Sequence, residues 1–195
     1  AKQAEKMSSY CLGLARGGHS SYDCEIYPVG FNSPELEFGP VIWGDMLLFT
    51  SNREGSTSRD DEDDPWTHSG FTDVFMAPRT GKNKFGEVSL FEPAMLTTYH
   101  EGPLVFNPAG DVMILTKSDV EDKRRSYDAS RNTRLKLVEV RKDASGLWNQ
   151  FSELSFSSSD YNTAHAALTA DGNWLVFSSD MPGGYGGMDL YRCML

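Results

Sequence analysis

Cysteine is scarce in this sequence and supplies neither a disulfide framework nor a thiolate metal site. Only three cysteines, Cys11, Cys24 and Cys193, occur among the 195 residues, so at least one of them has no partner within the chain. No Cys-x-x-Cys pair is present, which argues against a zinc site built on thiolates. Two alternatives stay open for Cys11 and Cys24: a disulfide between them, or two buried free thiols.

Positive charge and long apolar runs are also in short supply. The 18 Lys and Arg are outnumbered by 28 Asp and Glu, and the resulting net charge of -10 disfavours binding to nucleic-acid phosphates or to an anionic membrane surface. The longest wholly apolar runs, such as 46–49 and 112–115, have four residues, far below the ~20 that a membrane-spanning helix needs. We therefore expect no nucleic-acid partner and no direct membrane insertion. Residues 1–6 are not followed by the apolar region of a signal peptide, which predicts a chain that stays inside the cell or is part of a longer one.

Core-forming residues, by contrast, are plentiful, and they recur with a regular period. The chain is 39% hydrophobic and 12% aromatic, which indicates a globular fold. Three segments are similar to one another: 36–51, 99–116 and 163–179. Pro40 precedes Pro103 by 63 residues and Gly110 precedes Gly172 by 62, so the period holds across the three copies.

Each repeat predicts a four-stranded antiparallel meander. Two strands joined by a tight turn are followed by a third strand (70–75, 133–138 and 187–191) and, in the first two copies, by a fourth (87–91 and 148–154). The second strand is apolar on both faces, as in a sheet packed between two neighbours. Four-stranded sheets repeated along a sequence and packed radially are the blades of a β-propeller. The sequence thus predicts an all-β fold with a β-propeller segment over residues 19–195, its blades at about 36–91, 99–154 and 162–195.

The segments that precede the first blade have separate interpretations. Residues 1–18 are predicted to form a short helix, either the end of a preceding helical-repeat domain or a terminal helix packed on the propeller. Residues 23–29 are predicted to be an outer strand that closes a different blade. The strands then total twelve, or three blades, whereas closed propellers have about four to eight. Further blades in a longer protein, or two copies forming a six-bladed ring, would complete the propeller.

The repeat motifs carry a family resemblance. The strings that carry it are 37–42, 49–53, 100–103 and the Gly-rich 178–191. They resemble TolB-like, WD-repeat-like propeller repeats of Bacteroidota OmpA-family envelope proteins, closest to the PorE-like components of the type IX secretion system. The resemblance implies a periplasmic, outer-membrane-associated lipoprotein that is tied to peptidoglycan through another domain and has envelope proteins as its partners. Residue 166 departs from the family pattern, because it is Ala where Pro usually stands.

The loops between second and third strands emerge on one face of such a propeller, and we interpret this face as a protein-binding surface. It would carry a run of acidic residues, a basic run and exposed aromatics. The candidate residues are Asp60, Asp61, Glu62, Asp63, Asp64, Trp66, Lys123, Arg124, Arg125 and Tyr185. The alternative is that these charge runs are simply solvated loops.

Catalytic and metal-binding patterns are weak. No Gly-x-Ser-x-Gly elbow or Walker loop occurs, and the acidic run lacks the Gly and Glu that an EF-hand requires. The cores of the predicted inner strands, 41–43, 104–106 and 166–168, contain no paired carboxylates, and the repeated Asp73 and Asp189 are predicted to order turns. We therefore predict a non-enzymatic scaffold without metal or cofactor. A glycan- or small-ligand-binding propeller is the alternative, and a propeller glycoside hydrolase is a further one.

Overall fold

A computed structural model describes residues 26–57, 69–121 and 124–195, and these residues form antiparallel sheets. The all-β prediction is confirmed, since the described residues contain fourteen strands and a single short 3-10 helix, Pro93–Met95. None of the sheets closes on itself. The predicted helix at 1–18 and the Cys11 and Cys24 pair lie outside the described residues.

Twelve of the fourteen strands fall into three sheets that follow the sequence repeats. Sheet 1 contains five strands: β1 (Glu37–Trp43), β2 (Met46–Ser51), β3 (Asp73–Gly81) and the short β4 (Lys84–Phe85) and β5 (Ser89–Leu90). Sheet 2 begins with β6 (Glu101–Phe106) and β7 (Val112–Ser118). A separate hairpin, β8 (Val120–Glu121) and β9 (Arg124–Arg125), precedes its last strands, β10 (Leu135–Lys142) and β11 (Trp148–Glu153). Sheet 3 contains β12 (Thr163–Leu168), β13 (Trp174–Ser179) and β14 (Asp189–Met194).

The strand order agrees with the predicted meanders, but several boundaries differ. The third strand of each unit begins two or three residues later than predicted, at Asp73, Leu135 and Asp189. The fourth strand of the first unit shrinks to Ser89–Leu90, because β3 also pairs with Lys84–Phe85 just before it. The described part of the predicted closing strand, residues 26–29, forms no strand. Pro28 has no N–H for a ladder, and Ile26 is 92% exposed.

The middle sheet packs on both of its neighbours. In β7, Met113 and Leu115 belong to the core shared with sheet 1, whereas Ile114 belongs to the core shared with sheet 3. Successive side chains of a strand point to opposite faces, so an apolar run buries both faces at once. This alternation explains why the second strand of the repeat reads as continuously apolar.

The first strands of the three sheets lie next to one another, with β6 in contact with both β1 and β12. At the first boundary, Trp43 donates its indole N–H to the carbonyl of Gly110 at 3.2 Å. At the second, the His165 amide donates to the Thr116 hydroxyl at 3.1 Å. The first strands of sheets 1 and 3 therefore also bond to sheet 2 through polar contacts, one at the β6–β7 turn and one on β7.

A bulge recurs at one position of each first strand. The ladder shifts register between Phe38 and Val41, and the corresponding shifts occur in β6 and β12. The bulge residues have positive φ: 60° at Gly39, 97° at Gly102 and 57° at His165. This region suits glycine and is unfavourable for a residue with a Cβ. The third repeat therefore places a strained residue where the other two have glycine.

We expect His165→Gly to stabilise the protein by about 0.5–1 kcal/mol, because it relieves the left-handed strain of an exposed side chain while keeping the amide bond to Thr116. Urea unfolding measures this change. The matched control is Ala167→Gly on the same strand, which should destabilise by about the same amount, because Gly weakens an ordinary strand position. Equal destabilisation by both variants would show that the positive φ of His165 does not strain the backbone.

The outer face of sheet 3 is exposed, whereas that of sheet 1 is mostly covered by a cluster around Phe49 and Phe75. On sheet 3, Leu190 and Met194 are 77% and 70% exposed, and Arg192 lies over the Trp174 ring on the same face. On sheet 1, Ile42 is 61% exposed. Apolar side chains at such positions are typical of a surface that another element covers.

Candidate functional site

The predicted site residues divide between described and undescribed parts of the chain. Residues Asp60, Asp61, Glu62, Asp63, Asp64, Trp66 and Lys123 lie outside the described residues. Arg124 and Arg125 form β9, in the loop between β7 and β10. Tyr185 is fully exposed in the Gly-rich loop between β13 and β14.

The repeated aspartates order these loops, as the sequence predicted. Asp189 begins β14, and its Oδ2 accepts the amides of Tyr185 at 2.6 Å and Gly186 at 2.9 Å. Asp73 begins β3, and its carboxylate accepts the amide and the hydroxyl of Thr57. In both cases the carboxylate holds the loop that leads into its strand by accepting hydrogen bonds from residues earlier in the chain.

The loop held by Asp189 requires glycine at position 184 but not at position 187. A Cβ at Gly184 would collide with the Asp189 carboxylate and lie 2.7 Å from the Tyr191 hydroxyl, whereas a Cβ at Gly187 would meet nothing within 4 Å. We expect Gly184→Ala to destabilise by about 1–2 kcal/mol, because Asp189 must give up its loop bonds. Gly187→Ala, the control, should change the unfolding free energy by less than about 0.5 kcal/mol. Equal thermal unfolding of the two variants would show that the loop is not held by Asp189.

The loop between β7 and β10 has a scaffold of its own. Asp128 accepts the amides of Asn132 at 2.8 Å and Ser130 at 2.9 Å, and it pairs with Arg134 at 2.5 Å. These hydrogen bonds, first of all the amide of Asn132, together with the Arg134 guanidinium, hold the pKa of Asp128 below its usual value. The carboxylate thus stays ionised and fixes the loop that carries Arg131.

A cleft of about 570 Å³ opens beside this loop. Side chains from all three repeat units line it, since Phe71 precedes β3, Tyr127 follows β9, and Asn162 precedes β12. The polar lining includes His100, Ser118, Arg125, Tyr127, Arg131, Asn132, Thr133, Arg134 and Asn162. The junction of the three sheets therefore forms a concave surface that is lined mostly by polar residues but is about half apolar in area.

The three arginines of the cleft are held differently. Arg134 pairs with Asp128 and lies 3.6 Å from Asp180, and its buried Nε has no hydrogen-bond partner. The Arg125 guanidinium lies over the rings of Tyr99 and Tyr127, with distances to their centroids of 5.1 and 5.8 Å. Arg131 is exposed, has a φ of 64°, and forms no ion pair with a described residue.

The rest of the lining is fixed by hydrogen bonds. His100 accepts the amide of Thr72 at Nδ1, 3.2 Å away, and packs edge-on against Phe71. Asn162 accepts the Leu135 amide at 2.9 Å and donates its side-chain N–H to Asp180 at 3.0 Å. These bonds tie sheet 1 to sheet 2, and sheet 2 to sheet 3, so the walls of the cleft are preorganised.

A second polar cluster is buried between sheets 1 and 2. Glu101, at the start of β6, accepts the Thr97 amide at 3.0 Å and the Thr97 hydroxyl at 2.6 Å, and it lies 3.9 Å from Lys117. Burial, with a smaller contribution from the nearby Asp73, raises its pKa to about 7, against the hydrogen bonds from Thr97 and the charge of Lys117. Burial also raises the pKa of Asp73, which shares a hydrogen bond with Glu101.

This acidic pair bears on the hydrolase alternative. A glycosidase needs two carboxylates that contact the sugar. Glu101 and Asp73 are 0% and 1% exposed, so neither can reach a substrate in this conformation. The pair therefore has a structural role between the sheets.

The described residues add two negative observations. Within 26–57, 69–121 and 124–195, no group of three or more His, Cys, Asp or Glu could hold a metal ion. No helix in that part of the chain has the length and apolar character to span a membrane. Cys193 is a half-buried free thiol whose pKa is raised by burial.

Sequence reasoning missed most of the cleft. It selected Lys123, Arg124 and Arg125 but not Tyr127, Arg131 or Arg134, although these follow in the same loop. The available signal was a local excess of positive charge in residues 123–134 of a chain whose net charge is -10.

Comparison of the chain with protein-family models finds no match, and comparison with curated proteins finds none either.

Proposed function

We propose that the three sheets are consecutive blades of a β-propeller and that this chain is a non-enzymatic scaffold for protein contacts. The meander order of each sheet and the contacts of β6 with β1 and β12 support the radial arrangement. The exposed apolar side chains of sheet 3, Leu190 and Met194, support a further blade on that side. The setting follows from the resemblance of the repeats: a periplasmic, outer-membrane-associated lipoprotein of the type IX secretion machinery, linked to peptidoglycan through another domain.

One observation carries the scaffold proposal. The cleft lies where loops of all three sheets meet, and its arginines and Tyr127 are residue types enriched at protein interfaces. Arg124 is exposed on the same β7–β10 loop, and Tyr185 is exposed on the corresponding β13–β14 loop. In a propeller, the loops that join second to third strands share one face, which we name the loop face. Partner contacts are therefore expected there.

Site-specific photo-crosslinking in cells tests this orientation. A photoreactive residue at Tyr185 should crosslink an envelope protein, whereas one at Leu147 should not, since Leu147 lies in the β10–β11 turn on the opposite face of a propeller. Leu147 is 57% exposed and so is an accessible control. A partner captured only from Leu147, or from neither position, would contradict the proposal.

A ligand-binding module is the second candidate. The cleft volume of about 570 Å³ lies within the range of small-molecule sites, about 300–1,000 Å³. Such sites are mostly apolar, however, whereas this lining is about equally polar and apolar. A glycan-array signal that is lost in Tyr127→Ala but kept in Tyr185→Ala would favour this candidate over the scaffold.

A further inference from the structure

Two carboxyl side chains meet inside the boundary between sheets 1 and 2. Asp73 begins β3 of sheet 1, Glu101 begins β6 of sheet 2, and both residues are buried. The two side chains share a hydrogen bond. Such a bond needs one proton, because an ionised carboxylate can only accept hydrogen bonds. The bonded pair therefore consists of one neutral carboxyl and one carboxylate.

Glu101 is the member of the pair that carries the proton. Burial, first of all, raises its pKa to about 7, and the shared bond lowers the pKa of Asp73, as a donor to a carboxylate does. The groups that face Glu101 are Asp73 from β3, Lys117 from β7 and Thr97 from the segment before β6. The Lys117 ammonium lies 3.9 Å from the Glu101 carboxyl. Loss of the proton therefore leaves two buried carboxylates side by side, with the Lys117 charge to offset one of them.

The pair also anchors the start of the loop that follows β2. Asp73 accepts the amide of Thr57, and it accepts the Thr57 hydroxyl at 3.0 Å. The same hydroxyl contacts the carbonyl of Thr97, whose own amide and hydroxyl donate to Glu101. Thr57 thus bridges the two segments that carry the carboxyls. It is only half-buried and lies outside any strand, so it is the member of this cluster that can move aside with the least loss of packing.

We propose that Glu101 and Asp73 form a pH-sensitive switch that sets how firmly Thr57 is anchored. While Glu101 is protonated, it donates to the Asp73 carboxylate, and Asp73 holds Thr57 against β3. When Glu101 releases its proton to solvent, this donor is lost and the two carboxylates repel each other. Water that enters beside Thr57 then solvates both charges, and the anchor opens. The switch acts at the base of the β2–β3 loop and does not depend on what the protein binds.

Hydrogen exchange of the Thr57 amide, followed by NMR, tests the switch. The protection factor, which corrects for the intrinsic pH dependence of exchange, should fall about tenfold from pH 6 to pH 8. A carboxyl with a pKa of about 7 in the closed state and 4.5 as a model value shifts the opening equilibrium by about that factor. The Gly186 amide, which Asp189 holds in the corresponding loop of sheet 3, is the internal control and should change by less than about twofold.

Two variants complete the test. In Glu101→Gln the protection factor of Thr57 should change by less than about twofold, because glutamine cannot ionise but keeps a donor for Asp73 and an acceptor for Thr97. Glu87→Gln removes an exposed carboxyl and should keep the tenfold fall. A constant protection factor in the wild type, or the same fall in Glu101→Gln, would overturn the proposal. An equal fall at Gly186 and Thr57 would also overturn it, since the opening would then not be local.

Discussion

Glu101→Gln is expected to flatten the pH dependence of stability and to raise the unfolding free energy at pH 8 by about 2 kcal/mol. The carboxyl has a pKa of about 7 in the folded protein and 4.5 as a model value, so the folded state binds more protons between these two values. Stability therefore falls as pH rises through this window, by up to about 3 kcal/mol for one such group. Glutamine removes the buried charge but keeps an acceptor for Thr97.

Urea unfolding at several pH values between 4 and 8.5 measures this effect. The groups that face Glu101 are Asp73, Lys117 and Thr97, and Asp73 should leave a smaller slope of the same sign in the variant, because burial raises its pKa too. Glu87→Gln, at an exposed position, is the control and should keep the wild-type slope. Two results would contradict this prediction: an unfolding free energy of the wild type that rises between pH 5 and 8, or the same pH dependence in Glu101→Gln as in the wild type. Either would show that ionising the buried Glu101 carboxyl costs little free energy of unfolding.

Trp43→Ala is expected to destabilise the protein by about 3 kcal/mol or more, because this side chain joins sheets 1 and 2. Its ring stacks on Phe106 with centroids 5.0 Å apart, lies edge-on to Phe91 and Trp148, and donates to Gly110. The Lys142 ammonium lies 4.8 Å from the ring centroid. Its loss therefore removes apolar burial and a hydrogen bond at the same boundary.

A double-mutant cycle distinguishes a direct interaction between Trp43 and Phe106 from a general loss of packing. Trp43→Leu and Phe106→Leu should show a coupling energy of about 1 kcal/mol, as expected for a stacked aromatic pair. Phe31→Leu is the comparison, since Phe31 stacks on Phe49 at the outer face of sheet 1 and should couple negligibly with Phe106. A coupling near zero between Trp43 and Phe106 would mean that the two sheets do not meet as described.

The sequence repeats were sufficient to predict most of the fold. The period placed three meanders, and the apolar second strands indicated sheets packed on both faces, as Met113 and Ile114 show in β7. The predicted strand boundaries were less accurate, because hydrogen bonds between neighbouring sheets help to determine where a strand begins. Thr72, for example, donates to His100 of the next unit and does not begin β3.

The candidate site was harder to predict, because its side chains converge only after the sheets pack. Phe71, Arg131 and Asn162 come from three repeat units and carry no shared motif. The β8–β9 hairpin, which presents Arg125, has only two residues in each strand and so no periodic signal. The sequence also did not indicate that Glu101 is buried, since its hydrogen-bond partner Thr97 lies outside any strand.

Nuclear Overhauser contacts in solution show whether the three sheets pack in succession, with their first strands next to one another. The account predicts contacts between Gly39 and Pro103, between the Trp43 indole N–H and Gly110, and between the His165 amide and Thr116. Contacts within each sheet, such as those between β2 and β3, provide the internal control. Intra-sheet contacts without the three inter-sheet ones would contradict the packing of the three sheets in succession, and with it the three-sheet cleft.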